Sequence, residues 1–155
     1  MASRREQIVM TAAEVDAFLG VPRTLNVATI GPSGHPHLVA MWYGFLDGQV
    51  AFWTFAKSQK ILNLRRSPLV SALAEEGATY ATLKGVELVG TGRIVEDREQ
   101  ILAIGLSVAE RHNGPAAASA EARPFLEAQA AKRLGVVIDV DKVVSWDHTK
   151  LDGAY

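Results

Sequence analysis

The chain contains no cysteine. Disulfides, thiolate metal centres and cysteine nucleophiles are thereby excluded. It also lacks an apolar run long enough to span a membrane, and its first residues, MASRREQ, carry no apolar h-region, so a cytoplasmic protein with no membrane contact is expected. Excess charge of one sign is missing as well. The net charge is −1 over 155 residues, which argues against a general nucleic-acid binder and allows only a local basic patch. No G-x-S-x-G, Walker loop or G-x-G-x-x-G occurs, because the glycines at 31 and 34 and at 90 and 92 fall in turn or strand contexts. A nucleotide must therefore be held another way. No repeat, low-complexity tract or linker divides the chain, so one domain over 1–155 is expected, with residues 1–10 as a loose arm.

What is present reads as a globular protein, 48% hydrophobic and 21% charged. Thr11 and Glu14 form a T-x-x-E capping box for a short helix through Leu19, closed by Gly20 and Pro22. Thr24 to Ile30 reads as a strand, residues 31–34 as a turn, and His37 to Phe45 as the returning strand. Asp47-Gly48 is a strong hairpin signal leading into a third strand, Gln49 to Phe55, since a type I′ turn needs the positive φ that Asp and Gly tolerate. Strands follow over Leu69 to Ala74 and, after a Glu75-Glu76-Gly77 turn, over Tyr80 to Val86 and Glu87 to Val95. Gly85, Gly90 and Gly92 mark bulges or corners in that last stretch. Asp97 opens a helix to about Arg111, an alanine-rich helix runs from about Ser119 to Ala131, and the final strand spans Leu134 to Trp146. Six or so short strands in antiparallel order suggest a small closed barrel with flanking helices, mainly β.

The stretch from Thr54 to Pro68, TFAKSQKILNLRRSP, is the candidate anion site. The apolar period changes there from strand to helix, with Ile61, Leu62 and Leu64 on or beside one face. Ser58 as N-cap would leave the N–H groups of Gln59, Lys60 and Ile61 free at the positive end of the helix dipole. Lys57 and Lys60 put cations where the dipole disfavours them, which makes sense if a phosphate binds between. A solvated basic helix is the competing reading. His35 and His37 share a spacing compatible with a metal on one strand face, but no third ligand is near in sequence. Trp146-Asp147-His148 brings an acid and a base together without a nucleophile to complete a triad; a strand end with an aromatic plug is the alternative. Trp42, Tyr43, Phe52, Trp53 and Tyr80 surround the anion stretch. Most suit a core, and one or two suit the walls of a flat apolar cleft.

The runs G-H-P-H-L-V-A-M-W-Y (34–43), D-G-Q-V-A-F-W-T (47–54), K-S-Q-K-I-L-N-L-R-R-S-P-L-V-S (57–71) and Y-A-T-L-K-G-V-E-L-V-G-T-G-R-I (80–94), with S-W-D-H-T-K-L near the end, resemble the pyridoxamine 5′-phosphate oxidase-like split-barrel proteins. Within them, the flavin/deazaflavin oxidoreductases are the nearest in pattern. The resemblance implies an antiparallel split β-barrel, FMN-binding split-barrel type, forming a homodimer with the cofactor at the interface. It also implies that Val39, Ala40 and Met41 run along the cofactor ring, with Trp53 and Thr54 beside it, that Ser58 and Lys60 hold a phosphate, and that Tyr80 closes the site from the other subunit. His37 joins the cofactor-binding set on chemical type. Where oxidases of the family carry Ser-Arg-Lys this chain has Ser58-Gln59-Lys60, and the arginine and lysine of their second strand are absent from Val39 to Tyr43. Coenzyme F420, a deazaflavin with a phosphate, a lactyl group and an oligoglutamate tail, fits those departures better than pyridoxamine phosphate. Lys57, Arg65 and Arg66 could meet its tail. The expectation is a coenzyme F420-dependent oxidoreductase that transfers a hydride to an unsaturated or conjugated small molecule. FMN on the same fold, and a haem or other cofactor binder without catalysis, are the alternatives. Tyr80 and His37 are candidate proton donors by chemical type alone.

Overall fold

A computed structural model describes residues 3–151. Two reciprocal capping boxes begin the chain. Ser3 and Glu6 cap α1 (Arg4–Ile8), and Thr11 and Glu14 cap α2 (Ala12–Gly20). The box at Thr11 is the one its spacing predicts; the one at Ser3 gives helical structure to residues expected as a loose arm. Met10 is then buried, its N–H donating to Ser145 Oγ at 3.0 Å.

Seven strands follow: β1 (Leu25–Ile30), β2 (Pro36–Met41), β3 (Gly44–Leu46), β4 (Gln49–Phe55), β5 (Leu69–Glu76), β6 (Lys84–Val95) and β7 (Arg133–Asp147). Every pairing is antiparallel and the order is β2-β1-β5-β6-β7-β4-β3. The two edges, β2 and β3, are consecutive in the chain and only Trp42 and Tyr43 lie between them. Two residues cannot cross the width of a flat seven-stranded sheet. The sheet therefore curls until its edges meet, which is the antiparallel split barrel.

The strand expected over His37 to Phe45 is thus two strands. The break is at Tyr43, which turns into the core, fully buried, with its hydroxyl donating to the Leu19 carbonyl at 2.8 Å. Asp47 and Gly48 hold φ of 50° and 79°, the positive pair that the hairpin from β3 to β4 requires. Tyr80 to Thr82 is a 3₁₀ turn rather than a strand, held by Thr82 Oγ1, which accepts from the Thr79 N–H at 3.1 Å. β6 runs unbroken through all three glycines. Only Gly90 marks a bulge, where a side chain would collide with the Asp139 carbonyl; Gly85 and Gly92 make room for Trp146 and Leu64. The alanine-rich segment starts as a 3₁₀ turn (Pro115–Ala118), and its helix is shorter than expected.

The barrel interior holds Leu25 and Val27 of β1, Phe52 of β4, Val86 and Leu88 of β6 and Ile138 of β7. Val15, Phe18 and Leu19, spaced i, i+3, i+4 on α2, pack against it, as do Ile61 and Leu64 of α3 (Gln59–Arg66). A second core lies outside the barrel, where α4 (Arg98–Asn113) and α5 (Arg123–Ala130) cover Ala51, Val95 and Val137. β4 and β7 are consequently buried on both faces at Ala51, Phe52, Val136 and Val137.

Candidate functional site

β4 alternates across the barrel wall. Phe52 and Thr54 turn inward and are buried, while Trp53 and Phe55 face outward. On that outer side lies a cavity of about 510 Å³ lined by Thr24, Ala40, Met41, Trp42, Trp53, Thr54, Phe55, Lys60, Val108 and Arg133. Its walls are largely aromatic and apolar. Trp53 stacks close against α4 because Gly105 offers no side chain; a Cβ there would stand 2.5 Å from the nearest ring atom. One face of Trp42 is covered by His112, with ring centroids 4.7 Å apart and planes within 5°.

The cavity's charge is all of one sign. Its ionisable lining groups among the described residues are Lys60, in the first turn of α3, and Arg133, at the start of β7, and none of those residues brings a carboxylate to it. Burial alone holds the Lys60 pKa below the ordinary lysine value, and burial likewise lowers that of Arg133. A base in this position gains from an anion that restores what desolvation removed. Ser58 is the N-cap of α3 by backbone geometry, but its hydroxyl makes no cap hydrogen bond and instead accepts from Thr54 Oγ1 at 3.3 Å. The Ile61 N–H is not free as expected, since it donates to the Ser58 carbonyl at 3.1 Å. The N–H groups of Gln59 and Lys60 remain at the helix end, where the dipole favours an anion.

Of the residues singled out in the sequence, Ala40, Met41, Trp53, Thr54 and Lys60 line this cavity, and Ser58 adjoins it through Thr54. Val39 packs against the barrel core instead. His37 lies on the same side of β2, opposite Thr29, with a buried Nδ1 that has no hydrogen-bond partner. Lys57 is exposed on the turn before α3. Arg65 sits in the last turn of α3, paired with Glu96 at 2.8 Å, and Arg66 donates to the Ile30 carbonyl and to Asn63 Oδ1. Both arginines, expected to meet an acidic tail, thus have partners within the chain. Tyr80 does not line the cavity; its ring meets His148 at 4.4 Å, and its carbonyl bonds His148 Nδ1 at 2.8 Å. Asp147 is committed to Lys84 and Thr149, so the Trp146-Asp147-His148 run closes the strand end. Among the described residues no three His, Asp or Glu side chains converge as a metal site, and no helix is long and apolar enough to cross a membrane.

Arg133 is absent from the set read from the sequence. It lies opposite Phe55 in the β4–β7 register, and a strand pairing between residues so distant in the chain leaves no local signal. Val108, on α4, and Thr24, just before β1, reach the cavity through tertiary packing, which likewise leaves no local signal.

The sequence profile described as pyridoxamine 5′-phosphate oxidase matches residues 11–147. Nothing among curated proteins matches the chain. Among solved structures, the conserved hypothetical protein Rv2991 from Mycobacterium tuberculosis is 46% identical with a TM-score of 0.92, over 99% of this chain and 95% of that one. An F420 reductase is 26% identical with a TM-score of 0.63, over 83% and 94% of the two chains. A FAD-binding protein of Mesorhizobium loti, 20% identical with a TM-score of 0.66 over 88% and 94%, shares the fold.

Proposed function

The chain belongs to the pyridoxamine 5′-phosphate oxidase family, and from that premise we propose that it is a coenzyme F420-dependent oxidoreductase. The observation that carries this reading is the cavity beside β4, where flat aromatic walls end at a cationic helix start. Such a site suits a ring system that ends in a phosphate. The likeness to an F420 reductase supports the deazaflavin over other flavins. Gln59, in place of an arginine, and the lack of cations in β2 speak against oxidation of pyridoxamine phosphate.

The residues present fit the cofactor. Lys60 and the Gln59 and Lys60 N–H groups would hold the phosphate, with the Ser58 hydroxyl beside them. Met41, Trp42 and Trp53 would flank the ring and exclude water. When bound, the deazaflavin supplies the hydride that reduces an unsaturated or conjugated small molecule. The protein contributes binding, orientation and a dry wall, effects that convert an encounter into an aligned reaction. Tyr80 would close the site from a second copy of the chain, since it lies away from the cavity of its own.

Titration of F420 and FMN into the apoprotein at low and high salt tests the reading. F420 is expected to bind more tightly, with a margin that narrows as salt rises, because tail contacts at the surface are screened over about 8 Å at physiological ionic strength. With Arg65 held by Glu96, the tail's first partner is Lys57, and one exposed pair is worth only about 0.2–1 kcal/mol. The margin from the tail is therefore modest. Tighter FMN binding at both salts, FMN copurifying stoichiometrically, or a haem spectrum would replace the deazaflavin assignment.

A further inference from the structure

A phosphate at the start of α3 has fewer cations to meet than the local sequence suggests. Lys57 is exposed on the preceding turn, and position 59 is a neutral glutamine whose amide turns inward onto Asn63 Oδ1 at 2.8 Å. Lys60 alone of the loop and helix faces the cavity with a charge. From the neighbouring strand comes Arg133. The Ala56 N–H donates to the Lys132 carbonyl at 3.1 Å, so the backbone leading into Ser58 is clamped to the backbone leading into Arg133. The Arg133 guanidinium carbon lies 4.4 Å from the centroid of the Phe55 ring and 4.8 Å from that of Trp53. Among the described residues its head donates from Nη1 to the Gln129 carbonyl at 3.3 Å and forms no ion pair. A guanidinium has five N–H donors, so most of its fork is uncommitted while two aromatic rings hold its plane.

We propose that Arg133 is the second cation of the anion subsite, gripping the cofactor phosphate together with Lys60. This rests on the deazaflavin reading and names a residue that determines how the cavity selects its ligand. The chain meets the phosphate from two separate elements, α3 and β7, and the stacked guanidinium arrives already oriented, so little rotamer freedom is lost on binding.

The test uses three probes: F420, the same deazaflavin ending at its 5′-phosphate, and the same deazaflavin without phosphate. Arg133→Gln should weaken the two phosphate-bearing forms by about ten- to a hundredfold and leave the phosphate-free form within twofold. Arg133→Lys, which keeps the charge but not the planar fork, should lose less and only on the same two forms. Equal loss on all three probes would show that Arg133 shapes the ring site or the fold, and loss on F420 alone would assign it to the tail. Either outcome overturns the proposal while leaving the deazaflavin reading intact, as does unchanged affinity throughout. A wild-type protein that binds none of the three overturns both.

Discussion

In the free protein, Lys60 is held in a partly desolvated position with no carboxylate among the described residues to balance it. Its pKa is lowered by burial, so native protein binds fewer protons than unfolded protein as pH passes from that lowered value to the ordinary one near 10.5. Stability thus rises with pH across that window, and neutral pH lies on the penalised side. Lys60→Met should raise the melting temperature of the apoprotein while weakening F420 binding about ten- to a hundredfold; a lowered melting temperature would show the ammonium to be stabilising. Lys57→Ala should weaken binding less. His112 follows similar bookkeeping at lower pH. Burial chiefly, and then the neighbouring Arg111 charge, depress its pKa, partly offset by the hydrogen bond between Nε2 and the Tyr43 carbonyl. The neutral ring donates there from Nε2 and stacks on Trp42. Below the ordinary value near 6.5 the unfolded chain takes up the proton first, so stability falls with acid. Melting curves at pH 7.5 and 5.5 should show a smaller loss for His112→Gln than for the wild type.

Helix α3 is anchored by a residue whose type gives no warning of its place. Asn63 is fully buried, donating from Nδ2 to Thr29 Oγ1 at 3.0 Å and accepting at Oδ1 from Gln59 Nε2. Asn63→Ala leaves the buried Thr29 hydroxyl without its amide partner beneath the helix, at a cost of about 1–3 kcal/mol, which urea denaturation midpoints would register. An unchanged midpoint would mean that water replaces the amide. The apolar period found the helix through Ile61 and Leu64, yet it ranked Leu62 with them, and Leu62 is half exposed while Asn63 is inside. Caps and turns were legible because their chemistry is local: Thr11 with Glu14, Asp97 before α4, and Asp47-Gly48 each act within three residues. The split of the second strand at Tyr43 was not, since it depends on the Leu19 carbonyl across the barrel. Half of the site was legible for the same reason. Lys60 and Trp53 sit in or beside the anion stretch, whereas Arg133 enters through register alone.

At the scale of the molecule, apolar surface remains on the barrel's outer wall. Leu38 of β2 and Leu69 of β5 are 66% and 57% exposed, on one face with Ala28 and Ser71 between them in the register. Beside them is a groove of about 320 Å³ lined by Ile30, Leu69, Val70 and Val89. A second copy of the chain is the expected cover, and sedimentation at micromolar concentration should give the dimer mass. Leu38→Glu should shift it toward monomer and weaken F420 binding in parallel. A monomer that binds F420 as well as wild type would remove the shared site.

The strand order also sets a timetable. β4 pairs only with β3 and β7, so the hairpin made by Asp47 and Gly48 has no place in the sheet until Arg133 to Val137 exist to receive it. During synthesis, the meander of β1, β2, β5 and β6 can assemble while that hairpin waits, joined to β2 through Trp42 and Tyr43 but unpaired on its other edge. Closure requires residues 51–55 to pair with residues 133–137, far along the chain, a topology that slows folding and keeps an apolar ribbon exposed for longer. Ribosome-stalled chains ending before Gly135 should leave Phe52 and Trp53 open to protease, and chains extending past Ile138 should protect them once outside the tunnel. β7 is thus the staple that completes both the barrel and, through Arg133, the cationic end of the cavity.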